Sequence, residues 1–407
     1  MKSWVKILLG LLLGVIAGLI LGPKAHIFKI FGSLFLSLMT MLVVLIVFSS
    51  LVVGICHIND PKKLGRIGFR TISFYVITTL IASSVAICLG YLILPGAGLM
   101  LTQPVIATGV AQLAIGDFFL SLIPSNPFAS FAEGNILQII IFAVLFAVSI
   151  TFTKEKGLPL LKVLESLANT MNTLTHFVMM IAPYGVFALI AVTVGEIGLK
   201  VIYPLVKFLI CNYIACLFQL FFVFGFILKY MSKVKMVPFF KGMKDAIVLA
   251  FTTCSSSATL PVSLECARKH LGVSEDISGF VLSLGSTINM NGSAIGQALS
   301  AIFIAQAYGI ELSIMQLVIL VIVALFAAVG AAGIPGTGLI MMSLVLGVIG
   351  LPLEGIALVA GVDRLREMVS TVVNVLGDAV GAVFVAKKEG EINEEQYHAA
   401  TWMDSDI

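Results

Sequence analysis

The sequence predicts an all-α polytopic membrane protein in which eight transmembrane helices are combined with two re-entrant helical hairpins. Three observations support this fold class. Hydrophobic residues make up 59% of the 407-residue chain and charged residues only 11%, a balance that suits lipid rather than water as the surroundings. Apolar runs of about 20 residues recur along the chain, which is the length that a bilayer crossing needs. Basic residues are concentrated in every second loop, as expected where loops alternate between the two sides of a membrane.

Apolar runs bounded by charged residues, Pro or Gly predict the first six spanning segments. They lie near residues 3–22, 28–57, 70–94, 104–153 in pieces, 160–195 and 202–230. Lys2 and Lys6 surround the start of the first segment, which therefore also resembles the apolar core of a signal peptide. No small-residue cleavage site follows it, and Gly22-Pro23-Lys24 leads directly into another apolar run. An uncleaved first helix is the favoured interpretation.

The positions of the basic residues predict the orientation. The loops after the second, fourth and sixth spans are basic, whereas the loops between them carry little positive charge. The basic residues are Lys62, Lys63, Arg66, Arg70, Lys154, Lys156, Lys162, Lys229, Lys233, Lys235, Lys241 and Lys244. Cytoplasmic loops are the ones enriched in Lys and Arg, so the N-terminus is predicted to be cytoplasmic. By the same rule the polar segment after Lys387 and Lys388 is cytoplasmic, which places both termini inside.

Composition also excludes several classes of protein. A net charge of +3 is too small to indicate a nucleic-acid partner. The six cysteines lie in apolar segments, without a CxxC pair or a neighbouring His at metal-ligand spacing. They are interpreted as small buried hydrophobic residues, and no cofactor is predicted.

Beyond the sixth span, small and polar residues interrupt the apolar pattern at three places: Thr252–Pro261, Asn289–Ser293 and Gly330–Gly338. Polar backbone cannot face lipid unpaired, so such breaks lie inside protein or line an aqueous cavity. A single run of this kind is explained by close helix packing. Three of them in one part of the chain are typical of the substrate and ion sites of secondary transporters.

The Ser-rich interruption is predicted to be the tip of a re-entrant hairpin. Lys241 and Lys244 precede it and Arg268 and Lys269 follow it, so both ends prefer the cytoplasm, yet each arm is too short to cross. Hydroxyls and free backbone N–H groups at the tip suit a carboxylate. A catalytic serine is the alternative, but no GxSxG elbow is present and the nearest histidine, His270, lies in a loop. An enzyme is therefore not predicted.

The Gly-rich interruption predicts a second hairpin, because two short apolar arms surround it. Its glycines permit positive φ angles and repeated opening, so this tip is predicted to act as a lid over bound solute, with a simple extracellular turn as the alternative. At the third interruption, an unwound turn from Asn289 to Ser293 would direct amide and carbonyl oxygens at a cation such as Na⁺.

The last helix carries a polar stripe along one face. Its members are Asp363, Glu367, Ser370, Thr371, Asn374 and Asp378, at offsets 0, 4, 7, 8, 11 and 15. At about 100° per residue these positions share one side of a helix. Carboxylates inside a membrane helix are costly and usually face a cavity or a partner charge. The stripe therefore indicates a functional site more strongly than a structural one.

Together these motifs resemble the dicarboxylate/amino acid:cation symporter family, which has the glutamate-transporter fold. The resemblance is carried by the Ser-rich hairpin, the Asn-Met-x-Gly turn, a Gly-Ile-Pro-Gly hairpin and Asn374-Val375-Leu376-Gly377-Asp378. It implies a homotrimer in a bacterial inner membrane, with a static scaffold and a mobile domain that moves like an elevator. Residues 1–235 would form the scaffold and trimerisation region, although some of its helices would join the transport domain. Residues 236–390 would form the transport core and 391–407 a polar tail. Within the core, the resemblance places hairpin 1 near 238–268, helix 7 near 275–308, hairpin 2 near 313–347 and helix 8 near 352–388.

The resemblance also implies which residues bind solute and cations. The substrate residues would be Ser255, Ser256, Ser257, Gly333, Ile334, Gly336, Arg366, Glu367, Ser370, Thr371 and Asn374. Among these, the serines would lie beside the α-carboxylate, and Glu367 corresponds to the family's amine-binding Asp. The cation residues would be Gly285, Asn289, Asn291, Ser293, Asn374 and Asp378. Na⁺, H⁺ or both would be the coupling ions.

The sequence departs from the family pattern at several of these positions. Asn291 replaces an Asp of the usual Asn-Met-Asp-Gly motif, and Ala331 falls where a Thr is common, so the number and identity of the coupled cations stay open. Ser370 and Cys254 occupy the two positions at which acidic-substrate members place an Arg. A buried carboxylate without a counter-charge loses several kcal/mol, roughly, of binding free energy, which favours a neutral amino acid such as serine or alanine. Arg366 is the alternative counter-charge, since it either reaches the pocket or pairs with Glu367 or Asp363.

A channel and a membrane enzyme are the alternatives to a symporter. A channel would use the same polar pathway without concentrating solute, and a membrane enzyme would turn over a product. Two occluding hairpins favour gated alternating access over both.

Overall fold

The computed structural model describes residues 3–56, 64–99, 101, 123–197, 201–331 and 336–399. Every regular element in these ranges is helical, and their one strand-like contact is an isolated bridge between Val273 and Ile392. Most of the predicted fourth segment before residue 123 lies outside the described residues, as do the predicted substrate residues Gly333 and Ile334.

Long helices packed side by side, together with one short helix, build the N-terminal half. They are α1 (Ser3–Leu21), α2 (Lys29–Cys56), α3 (Leu64–Ile93), α4 (Pro127–Glu133), α5 (Ile136–Thr153), α6 (Leu158–Ile197) and α7 (Ile202–Met231). Glycines of α1 allow it to lie directly against α6. A Cβ added at Gly14 would lie 2.7 Å from the carbonyl oxygen of Phe187, and one at Gly18 would lie 2.7 Å from that of Ala191. Small residues permit this close approach of helices in a membrane.

Shorter helices packed around one long helix build the C-terminal half. They are α8 (Met236–Gly242), α9 (Lys244–Thr253), α10 (Ser256–Lys269), α11 (Glu275–Ile288), α12 (Asn291–Ala307), α13 (Ile314–Gly330), α14 (Thr337–Ile349), α15 (Ile356–Ala360), α16 (Asp363–Glu389) and α17 (Glu394–Ala399). Helix α16 lies at the centre, because α9, α11 and α12 all pack on it. It is also the most enclosed long helix of the described residues, with 89% of its spanning window buried.

Among the described residues, four helices are long and apolar enough to cross a membrane: Leu12–Phe35, Arg66–Ile93, Ile202–Met231 and Asp363–Glu389. The apolar helices α13 and α14 have only 17 and 13 residues, whereas a crossing takes about 20. Their length therefore agrees with the prediction that they are the two arms of a re-entrant hairpin.

The first hairpin turns at Cys254 and Ser255, which separate α9 from α10. Cys254 has a left-handed backbone conformation with φ 54°, and Ser255 is extended. The Ser255 hydroxyl accepts a hydrogen bond from the Ala258 N–H at 3.1 Å. Ser255 thus caps α10, as Ser commonly does at a helix start, and the Ser-rich interruption forms the predicted tip.

The second hairpin is held together at its base and turns sharply at its tip. Ser313 and Gln316 form a capping box at the start of α13, and the Gln316 amide donates to the carbonyl of Ile349 at the end of α14. At the tip, Gly336 has φ +89°, a conformation that favours glycine.

The helix that carries the polar stripe begins later than the predicted boundary near residue 352. Residues Ile356–Ala360 form the separate helix α15, and the chain turns at Gly361 and Val362 before α16 begins at Asp363. Glycine is a poor helix former, so Gly361 itself explains the break between α15 and α16. The stripe itself lies entirely within α16.

After α16, residues 389–399 pack onto the core, and we call them the C-terminal clasp. Glu389 pairs with Arg66 and Arg70 of α3, and the Asn393 N–H donates to the Gly272 carbonyl at 2.8 Å. The buried Tyr397 hydroxyl donates to the carbonyl of Lys235 at 2.8 Å. Burial raises the pKa of Tyr397, so this donor keeps its proton. The predicted polar tail, residues 391–407, thus begins with ordered residues that contact the connection between α10 and α11 and the residue before α8.

Candidate functional site

The polar stripe of α16 is enclosed by protein. Each predicted member has an exposed fraction of 9% or less: Asp363, Glu367, Ser370, Thr371, Asn374 and Asp378. The tip of the first hairpin, the break between α11 and α12, and the start of α14 all face this stripe. Burying so many polar groups is costly unless they are hydrogen-bonded, so their partners determine what the site can do.

The three consecutive serines of the first tip do not share one environment. Ser255 and Ser256 are 7% and 3% exposed, whereas Ser257 is exposed. Ser256 begins α10, so backbone N–H groups of the first turn are directed toward the space beside it. The structure therefore places two of the three predicted serines in the enclosed site and Ser257 at its edge.

Glu367 connects the two hairpin tips. Its Oε1 accepts a hydrogen bond from the Gly336 N–H at 3.0 Å, and its Oε2 lies 3.4 Å from Nη1 of Arg364. Arg364 in turn donates from Nη2 to the carbonyl of Thr253 at 3.1 Å. One carboxylate thus binds the second tip directly and the first tip through an arginine.

Arg366 is fully buried and pairs with Asp363, one turn back on the same helix. Its Nε and Nη2 lie 2.7 and 2.6 Å from Asp363 Oδ1. Two glycines leave room for the guanidinium group, because a Cβ at Gly296 would lie 1.8 Å from Nη1 and one at Gly338 would lie 2.9 Å from Nη2. The structure thus places Arg366 in an ion pair with Asp363, beneath α14.

Two polar atoms near this pair make no hydrogen bond to the described residues. They are Nη1 of Arg366 and the hydroxyl oxygen of Ser370, and the Ser370 hydroxyl lies against the Cys216 thiol of α7. A buried donor without an acceptor costs free energy. Arg366 Nη1 therefore retains one donor that is suited to an anionic or carbonyl oxygen.

A chain of amides leads to the Asp378 carboxylate. Thr79 donates to Asn291 Oδ1, Asn291 Nδ2 donates to Asn289 Oδ1, and Asn289 Nδ2 donates to Asp378 Oδ1, each at 2.9 Å. All four side chains are buried. Each acceptor oxygen has a second lone pair, and hard cations such as Na⁺ take oxygen ligands. The described residues hold no group of three or more His, Cys, Asp or Glu placed for a metal ion, so amide and backbone oxygens would complete such a site around Asp378.

Asn374 connects α16 to the start of α12. Its Oδ1 accepts from the Gly292 N–H at 2.7 Å, and its Nδ2 donates to the Ser293 hydroxyl at 3.3 Å. A Cβ at Gly292 would lie 2.1 Å from the carbonyl oxygen of Ser370. Only a glycine at position 292 allows this approach, which brings Asn374 and Ser293 to one place, as the sequence predicts for its cation residues.

Gly285 lies directly against the Asp378 carboxylate. An added Cβ there would lie 2.4 Å from Asp378 Oδ1 and 2.6 Å from the Tyr75 hydroxyl. The Tyr75 hydroxyl donates to the carbonyl of Val281 at 2.7 Å. Thr371 also has a local partner, since its hydroxyl donates to the Glu367 carbonyl at 2.9 Å.

Three site residues escape the sequence reasoning: Tyr75 and Thr79 on α3, and Arg364 on α16. Tyr75 and Thr79 are one turn apart, and with Thr71, Thr78 and Ser83 they form a buried polar face in an otherwise apolar helix. Such a face is a detectable signal of a cavity or of partners within the membrane. Arg364 lies three positions before Glu367 and seven before Thr371, at the edge of the stripe's face, and this helical spacing is the signal that could have indicated it.

Long apolar helices around an enclosed polar site with two hairpin tips define a helical membrane protein of the solute-carrier type. The sequence profile of the sodium:dicarboxylate symporter family matches residues 4–388. The chain belongs to this family, as the sequence motifs predict.

Curated relatives fall into two groups by name. The proton/sodium-glutamate symport protein of Bacillus subtilis (strain 168) is 39% identical over 371 residues, which are 89% of this chain and 86% of that protein. The proton/glutamate-aspartate symporter of Escherichia coli (strain K12) is 38% identical over 377 residues, covering 90% and 86%. The C4-dicarboxylate transport protein of Anaeromyxobacter sp. (strain K) is 30% identical over 405 residues, covering 97% and 92%.

Proposed function

We propose that this protein is a secondary active symporter that imports an acidic amino acid or a dicarboxylate together with Na⁺ or H⁺. The observation that carries the proposal is the enclosed polar site, in which both hairpin tips bond to the Arg364–Glu367 pair of α16 and an amide chain ends at the Asp378 carboxylate. A polar site closed by two hairpins suits a carrier with alternating access. The names of the relatives, which are transport proteins, agree with this assignment and with the absence of a catalytic role.

The substrate class follows from the cations near the pocket. Arg366 keeps one buried donor, Nη1, that no described residue accepts, and the start of α10 supplies backbone N–H groups beside Ser256. A substrate with two carboxylates would use both. The names of the relatives include glutamate, aspartate and C4-dicarboxylates as solutes, and substrates of this kind carry two carboxylates.

A neutral amino acid such as serine or alanine is the second candidate, and one observation favours it. Arg364 and Arg366 already face Glu367 and Asp363, so the two arginines and two carboxylates balance in charge. Ser370 adds only a hydroxyl. A substrate without a side-chain charge would leave this balance undisturbed.

The cation site is proposed to include Asp378, Asn289, Asn291, Asn374, Ser293 and Gly285. Asp378 brings the negative charge, and the amides bring neutral oxygens. Because position 291 is an amide, a second monovalent cation there would lack a counter-charge, and a low-dielectric site makes that loss expensive. We therefore favour few Na⁺ ions, or protons carried by Glu367 or Asp363, as the coupling ions.

The larger architecture is proposed from the family. Eight transmembrane helices and two hairpins would form each protomer of a homotrimer in the bacterial inner membrane, with both termini in the cytoplasm. Residues 1–235 would supply the scaffold and 236–390 the transport core, which would move as an elevator. The dense packing around α16 supports a core that moves as one unit.

The test is uptake of radiolabelled aspartate, glutamate, succinate, serine and alanine by proteoliposomes, with Na⁺ and proton gradients imposed separately. Concentrative uptake of an acidic substrate with either gradient is the expected result. Uptake of serine or alanine alone would establish the second candidate. Solute flux that only equilibrates, whatever the gradient, would contradict a symporter and indicate a channel.

A further inference from the structure

Four groups form a continuous polar connection across the two hairpins, and we call it the tip bridge. It runs from the Thr253 carbonyl through the Arg364 guanidinium and the Glu367 carboxylate to the Gly336 N–H. Thr253 ends the first arm of hairpin 1, and Gly336 precedes the second arm of hairpin 2. The bridge is therefore a direct link between two segments that belong to different hairpins.

The bridge is enclosed enough to matter energetically. The side chains of Arg364 and Glu367 are 14% and 12% exposed, so water screens their attraction less than at a surface. Hydrogen bonds to charged groups are also stronger than neutral ones. Thr253 and Gly336 contribute only backbone atoms, so the two side chains of α16 decide whether the bridge exists.

The geometry points to Arg364 as a positioning residue that couples the two tips, and to competition between Arg364 and a substrate ammonium group for the Glu367 carboxylate. The second part rests on the proposed function. Glu367 has two oxygens, of which one serves Gly336 and the other Arg364. Each oxygen keeps a second lone pair, but a substrate ammonium at Oε2 would bring a second cation beside the Arg364 guanidinium, and like charges repel in an enclosed site. A dicarboxylate without an amine leaves Arg364 in place.

Because of this competition, substitution of Arg364 is expected to affect amino acids and dicarboxylates without an amine in opposite directions. L-Aspartate and succinate share two carboxylates and differ by the ammonium group. Removing Arg364 is expected to favour aspartate over succinate, because the cation at Oε2 of Glu367 is lost and the nearby Arg366 already pairs with Asp363. For succinate the same change leaves Glu367 with less positive charge around it beside a dianion, which weakens binding.

The accessibility of the Cys254 thiol measures whether the hairpin tips are open or closed, without a transport assay. It follows Thr253 directly and is 5% exposed. In full-length purified protein, the rate of Cys254 alkylation by N-ethylmaleimide is measured by mass spectrometry of the peptide. Loss of one charge-assisted contact, about 1.4 kcal/mol, corresponds to roughly tenfold faster alkylation in Arg364→Gln. Arg364→Lys keeps the charge, so its alkylation rate is expected to lie between those of the wild type and Arg364→Gln.

A double-mutant cycle tests whether Arg364 and Glu367 act as one unit. Glu367→Gln keeps an acceptor for Gly336 but removes the charge, and the double variant is expected to react no faster than either single variant. Arg268→Gln is the matched control. Arg268 lies at the end of α10 away from the tip, where it pairs with the exposed Glu275. Size-exclusion profiles and melting temperatures show that each variant is folded.

The same readout tests the competition. The concentrations of L-aspartate and of succinate that halve Cys254 alkylation are compared, and their ratio is expected to shift about tenfold toward aspartate in Arg364→Gln. Unchanged alkylation in both Arg364→Gln and Arg364→Lys would overturn the bridge. Faster alkylation with an unchanged ratio would overturn the competition. Faster alkylation in a protein whose wild type takes up no amino acid or dicarboxylate would leave the bridge in place and refute the proposed function instead.

Discussion

Asp378→Asn isolates the contribution of one buried charge to cation binding. The carboxylate is 4% exposed and accepts a hydrogen bond from the Asn289 amide at 2.9 Å. A monovalent cation about 4 Å away interacts with a unit charge by about 4 kcal/mol at an effective dielectric constant of 20. Since 1.4 kcal/mol is a factor of ten, roughly a thousandfold loss of cation affinity is expected. The amide keeps the shape of the side chain, so the fold should persist.

Thermal unfolding in detergent, with Na⁺ or with choline as the replacement cation, measures this loss. A cation present at one hundred times its dissociation constant stabilises the wild type by about 2.7 kcal/mol, and a thousandfold weaker site gains only about 0.1 kcal/mol. Without Na⁺, the variant is expected to be at least as stable as the wild type, because a buried charge has been removed. Glu354→Gln, which alters an exposed carboxylate, is the control. Full Na⁺-dependent stabilisation of Asp378→Asn would refute the assignment of Asp378 to the cation site.

Three further changes test other parts of the structure. Gly292→Ala places a Cβ 2.1 Å from a backbone oxygen and should destabilise the protein by about 1–3 kcal/mol or more, whereas Gly347→Ala meets nothing within 4 Å and should not; melting temperatures compare them. Asn291→Asp should lower the Na⁺ concentration that gives half of the thermal stabilisation by about tenfold or more, and it should lower stability without Na⁺ because two buried carboxylates then repel each other. The same half-maximal Na⁺ concentration in the variant and the wild type would contradict this role for position 291. Tyr397→Phe leaves the Lys235 carbonyl without its donor and should cost about 1 kcal/mol; an unchanged melting temperature would show that the contact is not stabilising.

Sequence reasoning succeeds here where polar residues interrupt apolar runs. A membrane leaves few places for unpaired polar groups, and Ser255 and Ser256 of the Ser-rich tip, the Asn289 turn and the stripe on α16 lie inside the protein, at residues that the sequence indicates. The period of an α-helix also fixes which residues of α16 share a face.

The same reasoning cannot identify partners across the chain. Thr79 and Asn291 meet although 212 positions separate them, and periodicity shows only that each lies on a polar face. Arg364 illustrates a second limit. Its spacing of three from Glu367 indicates that pair, but its contact with the Thr253 carbonyl joins residues 111 positions apart. That contact depends on a side-chain rotamer that tertiary packing decides. Ser257 shows a related limit. It directly follows the buried Ser256 but is exposed, because successive residues at the start of a helix point in different directions.

The C-terminal clasp has a consequence for how the protein is made. Glu389 pairs with Arg66 and Arg70, which precede it by 323 and 319 positions, and Tyr397 bonds to the carbonyl of Lys235. Synthesis proceeds from the N-terminus and early parts of a chain fold first. The clasp contacts of α3 can therefore form only after residue 389 has been synthesised, which makes them a late step in the biogenesis of the core.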